Sequence, residues 1–237
     1  MNRPIQDDRD PPAGSPWSRP ATVAGFAQPA PNETLLRFAR AEGNNARKRV
    51  LDIGCGAGRN TVPLARLGWS AIGVDLSVPM IVAAAARVRE EHLEHHLRLT
   101  LASMDELPFA ARSFDLIVAH GVWNLARSGS EFRRALAEAA RVARRPSALY
   151  VFTFSRNTLP PDAQPVANES FVFTQFSGQP QCFLTAQQLA TELAAVGFAP
   201  DSSSPIRELN LPKPGALYRS GAPVIYEGVF RLSHVAP

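Results

Sequence analysis

A glycine-rich turn lies between two acidic residues in the first third of the chain. The turn is Gly54-Cys55-Gly56-Ala57-Gly58; Asp52 precedes it by two residues, and Asp75 follows 21 positions after Gly54. Glycine lets the backbone approach a ligand closely, and a turn of this kind opens the N-terminus of a following helix. An acid at the end of the next strand can accept hydrogen bonds from vicinal ribose hydroxyls. The spacing is GxGxG and not the GxGxxG of nicotinamide and flavin enzymes. The combination predicts a nucleoside-binding site, and a turn that only packs is the alternative.

Short apolar runs alternate with helical patterns on both sides of this turn. A run that ends in glycine or an acid indicates a buried strand, and apolar residues at helical spacing indicate a helix. The predicted strands are RVLDIG, SAIGVD, HLRLTLAS, SFDLIVAHG, SALYVFTFS, PIRELNL and APVIYEGVFRL. Five strands joined by helical segments require right-handed crossovers and a parallel sheet covered by helices on both faces. The sequence therefore predicts a doubly wound α/β domain, in which ligands bind at the carboxyl ends of the strands.

Helix ends are predicted from capping residues. A serine or threonine before an apolar helical pattern is typical of an N-cap, and a glycine after it is typical of a C-terminus. The predicted N-caps are Ser77, Ser130 and Thr185, and the predicted terminating glycines are Gly68 and Gly197.

Proline marks the predicted domain boundary. Seven of the 21 prolines fall within the first 31 residues, and this opening stretch has few apolar residues. We expect residues 1–28 to form a flexible tail without regular helix or strand, and residues 29–237 to form one domain. The stretch 156–184 is long for a connection between a strand and a helix, and it is rich in phenylalanine. We interpret it as a substrate-facing insertion with a short hairpin around residues 171–176.

Four consecutive motifs resemble those of the class I S-adenosylmethionine-dependent methyltransferases. They are VLDIGCGAGRN, GVDLS, LASMDELPF and FDLIVAHGVWNLA. The resemblance covers most of residues 48–198. It implies a Rossmann-like sheet of seven strands, mostly parallel, with an antiparallel last strand. It also implies S-adenosyl-L-methionine as the cofactor and S-adenosyl-L-homocysteine as its product.

The resemblance assigns roles to individual positions. Asp52 is placed near the methionine end of the cofactor, Asp75 at both ribose hydroxyls, and Leu76 against the adenine. The backbone N–H of Met104 is expected to meet an adenine ring nitrogen. Many relatives carry aspartate at the position of Ser103, so either Ser103 or Asp105 is expected to accept from the adenine amine. The full implied cofactor-binding set is Asp52, Gly54, Cys55, Gly56, Gly58, Arg59, Asn60, Asp75, Leu76, Ser103, Met104, Asp105 and His120.

Three positions allow two interpretations each. Arg59 follows the glycines at a helix N-terminus, where the helix dipole disfavours a cation. It either points to solvent or pairs with an anion, which would be the cofactor carboxylate or an anionic substrate. His120 follows the fourth predicted strand, where an imidazole can act as a general base or can simply shape the pocket. We favour the second role, since methyl transfer from a sulfonium often needs only in-line placement. Trp123 either walls the transferred methyl group or packs.

The function that follows is methyl transfer from S-adenosylmethionine to a small-molecule acceptor by in-line displacement. Three alternatives remain: methylation of a quinone-type ring, methylation of a metalloid such as tellurite, and a non-catalytic S-adenosylmethionine-binding regulatory subunit. The 156–184 insertion suggests an acceptor with an apolar part.

Composition excludes several other classes of protein. The net charge is +4, but the basic residues are scattered among acids and carry no interleaved aromatics, so we expect no nucleic-acid partner. No apolar run is long enough for a membrane span, and the start has no secretory signal pattern. Two cysteines exclude a disulfide framework, and the histidines at 92, 95 and 96 fit a solvated helix end better than a metal site. We therefore expect a cytoplasmic monomer or homodimer without a metal.

Overall fold

The computed structural model describes residues 16–43, 48–211 and 222–233. They belong to two compact units, the first ending at Ser103 and the second beginning at Met104. The predicted extent of a single domain, 29–237, stays a prediction. No helix within the described ranges has both the length and the apolar character needed to cross a bilayer.

The first unit contains three parallel strands in the order β3-β2-β1. Four of the five residues of β1 are buried, as expected for the apolar run before the glycine turn. The elements of this unit are α1 (Pro20–Ala27), α2 (Glu33–Glu42), β1 (Arg49–Ile53), α3 (Thr61–Arg66), β2 (Ser70–Asp75), α4 (Val78–Glu90) and β3 (Leu97–Leu101).

The second unit adds β4 parallel to β5, with β10 antiparallel to β5 and to the short strands β8 and β9. The predicted doubly wound α/β class, mostly parallel with an antiparallel last strand, is confirmed; β9 lies within the predicted strand PIRELNL, and β8 is a short strand beyond the seven expected. The elements are β4 (Phe114–His120), α5 (Gly129–Val142), β5 (Ala143–Phe154), β6 (Val172–Phe173), β7 (Gln181–Cys182), α6 (Ala186–Ala195), β8 (Phe198–Pro200), β9 (Arg207–Leu209) and β10 (Ile225–Leu232).

Two of the three predicted N-caps are confirmed. Ser77 accepts from the backbone N–H of Met80 at the start of α4, and Thr185 forms a capping box with Gln188 at the start of α6. The prediction of Ser130 is wrong, because Ser128 caps α5 by accepting from the N–H of Glu131 at 3.1 Å. Ser128 has the extended backbone of an N-cap and stands three residues before a glutamate, which is the spacing of a capping box.

The expectation that residues 1–28 lack regular structure is wrong for Pro20–Ala27, which form α1; residues 1–15 lie outside the described residues. Proline is tolerated in the first turn of a helix because its missing N–H has no helical partner there. Trp17 and Phe26 meet edge to face at 5.5 Å between ring centroids. The carbonyl of Trp17 accepts from the hydroxyl of Ser77 at 3.1 Å, which ties this segment to the start of α4.

The 156–184 insertion has its own small core. Its hairpin pairs Val172 with Cys182 and Phe173 with Gln181, so the two strands lie around a longer loop than the one expected at 171–176. Arg156 crosses this segment: its guanidinium lies 4.9 Å from the Phe173 ring centroid and donates to four carbonyl groups. Those carbonyls belong to Leu159, Pro160, Pro161 and Ala163.

Candidate functional site

The glycine turn leaves the carboxyl end of β1 with a backbone that only glycine adopts readily. Gly54, Gly56 and Gly58 have φ values of 69°, 53° and 78°. Positive φ places the Cβ of other residues against the backbone, at a cost of about 1 to 2 kcal/mol per residue. The turn is fastened to β2, because the N–H of Cys55 donates to the carbonyl of Val74 at 2.9 Å.

Asp75 holds the turn directly. One carboxylate oxygen accepts from the backbone N–H of Gly56 at 2.8 Å, and the other accepts from the N–H of Ser77 at 2.8 Å. Burial raises the pKa of Asp75, and these backbone N–H groups oppose that rise. Each carboxylate oxygen has a further lone pair, so both can accept a second hydrogen bond from a ligand hydroxyl. The expected pairing of turn and acid is therefore present.

The space above the turn fits a ligand that approaches the backbone. A Cβ built on Gly56 meets nothing closer than the sulfur of Met80 at 3.9 Å. At Gly58 a Cβ would lie 3.2 Å from the Val62 side chain and 3.4 Å from Cβ of Ala84. Gly58 thus serves helix packing, whereas Gly56 leaves open space. Leu76, placed against the adenine in the sequence-based prediction, is 36% exposed beside Asp75.

Asp52 lies beneath the turn as a buried acid. It is 2% exposed and accepts from the hydroxyl of Thr61 at 2.5 Å. Burial raises the pKa of Asp52 to about 7, with a smaller increase from Asp75, while Thr61 and the positive charge of Arg59 oppose the rise. Asp52 is therefore poised to change its charge near neutral pH.

Arg59 is half-buried, which argues against the interpretation that it simply points to solvent. Burial lowers its pKa, and the negative charge of Asp52 opposes that change. Asn60, also predicted to bind the cofactor, has a structural contact: its side-chain carbonyl accepts from the backbone N–H of Asn32 at 3.0 Å. Cys55 is buried, and burial raises the pKa of its thiol.

Ser103 ends the first unit, and three other predicted site residues belong to the second. Met104 is buried. Asp105 accepts two hydrogen bonds from Arg134 on one carboxylate oxygen, at 2.9 and 3.1 Å. His120 is half-buried and stacks on Phe152 with ring centroids 4.0 Å apart and planes at 12°. The structure thus brings Asp52, the turn and Asp75 together in one unit; roles in adenine recognition stay predictions.

Trp123 and Asn124 follow β4 in a short 3₁₀ helix and are both buried. The Trp123 ring meets Phe132 of α5 edge to face at 6.3 Å between centroids. This contact favours the packing interpretation of Trp123 over a wall for the methyl group.

Sequence reasoning missed two functional candidates. Thr61 is one, and its position at the start of α3 beside Asp52 is visible only in the fold. Glu227 is the other: it is 4% exposed in β10 and accepts from the hydroxyl of Tyr150 at 2.6 Å. An acid within the apolar run VIYEGVFRL is the signal that could have indicated it.

Within the part of the chain that the structure describes, no three histidine, cysteine, aspartate or glutamate side chains are grouped closely enough to hold a metal ion. His92 and His96 lie at the turn that follows α4. Cys182, in the insertion, is buried and its thiol contacts the carbonyl of Ala126 at 3.3 Å.

Comparison with known proteins identifies the same region. A family model described as a methyltransferase domain matches residues 50–145. Methyltransferase GfsG from Streptomyces halstedii is 35% identical over 104 residues, which are 44% of this chain and 37% of that protein. A ubiquinone biosynthesis O-methyltransferase from Azorhizobium caulinodans is 28% identical over 153 residues, 63% of this chain and 58% of that protein. The matches thus span less than two thirds of either relative.

Solved structures extend the likeness beyond the matched domain. A crystal structure of a SAM-dependent methyltransferase from Methanosarcina mazei superposes with a TM-score of 0.66. The superposition covers 81% of this chain and 97% of that one at 21% sequence identity. At this identity the likeness establishes the fold.

Proposed function

We propose that this chain, whose residues 50–145 match the methyltransferase-domain model and whose fold is that of a SAM-dependent methyltransferase, transfers a methyl group from S-adenosylmethionine to a small-molecule acceptor. The observation that carries the proposal is the bond between Asp75 and the N–H of Gly56 beneath an open glycine turn. The intact turn and the acid fixed to it argue against a chain that has lost cofactor binding; turnover separates the enzyme from a regulatory chain that only binds the cofactor.

In this proposal the residues of the first unit hold the cofactor. Asp75 accepts from the ribose hydroxyls with the lone pairs left by Gly56 and Ser77. The backbone of the turn lies against the methionine part, where Asp52 and Arg59 offer a negative and a positive charge to its ammonium and carboxylate. When bound, the cofactor supplies a methyl group made electrophilic by its sulfonium.

The chain's contribution to the reaction is alignment in a site from which water is excluded. We assign His120 to shaping the acceptor site, because its ring is held face to face against Phe152. A methyl acceptor that is already a good nucleophile requires no proton transfer from this imidazole. Methylation of a quinone-type acceptor is supported as a second candidate by the likeness to a ubiquinone biosynthesis O-methyltransferase.

The remaining parts of the proposal rest on the sequence. We propose a cytoplasmic protein that acts as a monomer or homodimer, without nucleic acid as a partner. The scattered arginines and the two cysteines support these assignments.

Isothermal titration with S-adenosylmethionine tests the cofactor, and formation of S-adenosylhomocysteine in the presence of candidate acceptors tests the enzyme. We expect saturable binding of one cofactor per chain and acceptor-dependent product formation. An absence of binding would contradict the proposal. Binding without turnover across phenol, amine, thiol and quinol acceptors would favour the regulatory alternative.

We expect cofactor affinity to increase as the pH rises toward 7. Asp52 is protonated below its raised pKa of about 7, and a bound ammonium favours its carboxylate, so binding at lower pH must expel a proton. The dissociation constant of S-adenosylhomocysteine should fall by up to about tenfold per pH unit between pH 5.5 and 7. The stability of the unliganded protein changes with pH in the opposite direction. The folded state binds the Asp52 proton more tightly than the unfolded state, so the contribution of Asp52 to folding stability is greatest at low pH. It declines as the pH rises from 3.8 to about 7.

Titration in two buffers with different ionisation enthalpies measures the released proton directly. The charged and titratable groups around Asp52 are Arg59, Asp75 and the Cys55 thiol, of which Cys55 stays protonated because burial raises its pKa. Asp52→Asn is the control and should remove both the proton release and the pH dependence. Proton uptake, or the same profile in Asp52→Asn, would show that another group is responsible.

A further inference from the structure

We infer that the second unit carries a binding surface for a flat aromatic ring, formed by His120, Phe152, Phe154 and Phe176. We call these four side chains the aromatic surface. The inference rests on the proposed methyl transfer, in which the aromatic ring belongs to the acceptor.

The sheet register places three of these side chains together at the carboxyl ends of two strands. His120 of β4 is the parallel neighbour of Phe152 of β5, and Phe154 follows two residues later on the same face. Exposure alternates along this end of β5: Phe152 and Phe154 are half-buried, whereas Val151 and Thr153 are buried. The face with the aromatic rings is therefore the more open of the two.

The rings are held in fixed orientations. His120 and Phe152 are stacked at 4.0 Å, and Phe154 stacks on Phe183 at 5.4 Å with planes at 29°. Phe176, in the loop of the insertion hairpin, meets Phe154 edge to face at 5.3 Å and is 45% exposed. Aromatic pairs favour offset-stacked and edge-to-face geometries, which an added flat ring can extend.

The 156–184 insertion packs against Phe154 and supports the aromatic surface. Phe183 is fully buried and packs with Leu159 and Phe173 in one core cluster, against which Phe154 is also packed. The bonds of Arg156 to the carbonyls between Leu159 and Ala163 brace the same segment. A surface fixed in this way loses little conformational freedom when a ligand is bound.

The size and chemistry of the surface favour a small planar ligand over a protein. Phe176 is 45% exposed and the other three side chains are half-buried, so the accessible area suits a small ring and is well below the roughly 800 Å² per partner of a stable protein interface. Three of the four side chains are uncharged phenyl rings, and this composition suits an uncharged aromatic ring.

The probe pair is 2-naphthol and its saturated counterpart decahydro-2-naphthol, measured by ligand-observed NMR with S-adenosylhomocysteine present. Both probes carry one hydroxyl, but only 2-naphthol is flat. Simple hydrophobic burial would not favour 2-naphthol over the saturated probe. We expect naphthol to bind at least about tenfold more tightly, because stacking requires a planar ring. Equal or tighter binding of the saturated probe, or no binding of naphthol, would overturn the inference.

Substitutions locate the binding. Phe176→Leu and Phe154→Leu should each weaken naphthol binding by about 3- to 10-fold. The cofactor affinity and the circular dichroism spectrum should stay as in the unmodified chain. Val166→Ala removes a similarly exposed apolar side chain, 37% exposed, from the same insertion and should leave naphthol affinity within about twofold. Naphthol affinity that is unchanged in both phenylalanine variants would overturn the assignment of the surface.

The failure of this inference is distinguishable from failure of the proposed function. Titration with S-adenosylhomocysteine is run on the same samples: if it binds and naphthol does not, only the aromatic surface is wrong. If S-adenosylhomocysteine does not bind, the proposed function is wrong whatever naphthol does. Self-association that is lost in Phe176→Leu would assign the surface to a second copy of the chain and overturn the inference.

Discussion

Replacing Gly56 with valine is expected to weaken S-adenosylhomocysteine binding by more than about 100-fold while the chain still folds. The new side chain would occupy the open space above the turn, where the nearest protein atom to an added Cβ is 3.9 Å away. Folding should survive because that Cβ meets no backbone, although the φ of 53° adds strain of about 1 to 2 kcal/mol. Calorimetric titration and thermal unfolding of the same sample separate the two effects.

Gly68→Val is the matched control for backbone strain. Gly68 has a φ of 90°, has no atom within 4 Å of an added Cβ, and lies after α3 in the same unit. It should show a similar loss of stability and a cofactor affinity within about threefold of the unmodified chain. Near-normal affinity in Gly56→Val would mean that no ligand approaches the backbone there. An equal loss in Gly68→Val would mean that strain, not occupancy, weakens binding.

Replacing Asp75 with alanine is expected to weaken cofactor binding by roughly 10- to 150-fold, which corresponds to about 1.5 to 3 kcal/mol. Two effects combine: the ribose hydroxyls lose a charged acceptor, and the N–H of Gly56 loses the carboxylate that fixes the turn. Asp75→Asn should fall between alanine and the unmodified chain, because its amide oxygen remains an acceptor without the charge.

Adenosine and 2′-deoxyadenosine separate the two effects of Asp75. The unmodified chain should prefer adenosine, and Asp75→Ala should abolish that preference. If both nucleosides lose affinity equally, Asp75 acts only on the turn. Asp201→Ala is the control: Asp201 also accepts from backbone N–H groups of a turn, those of Ser203 and Ser204, but in the second unit. Its loss should lower the melting temperature and leave cofactor affinity unchanged.

Local sequence determined the order of the strands along the chain and the closeness of the glycine turn to Asp75. The apolar runs before Gly54 and Asp75 predict two neighbouring parallel strands, and parallel strands bring their carboxyl ends to one edge. The turn and the acid are therefore expected to lie close together, and in the structure the N–H of Gly56 donates a hydrogen bond to the carboxylate of Asp75. The motifs also predicted the antiparallel last strand. Where a cap was misplaced, at Ser130, the correct Ser128 was still present in the sequence.

Tertiary structure alone decided properties that depend on residues distant in sequence. The pKa of Asp52 is raised because the fold buries it, and no local pattern measures burial. The proline-rich opening stretch predicted irregular structure, whereas the segment before α1 is held by the contact between Trp17 and Ser77, residues 60 positions apart. The pairing of Tyr150 with Glu227 and the contacts of Phe154 with Phe176 and Phe183 likewise depend on strand register and on how the insertion folds back. Local spacing fixes which residues share an edge or a face, whereas burial and long-range contacts exist only once the chain has packed.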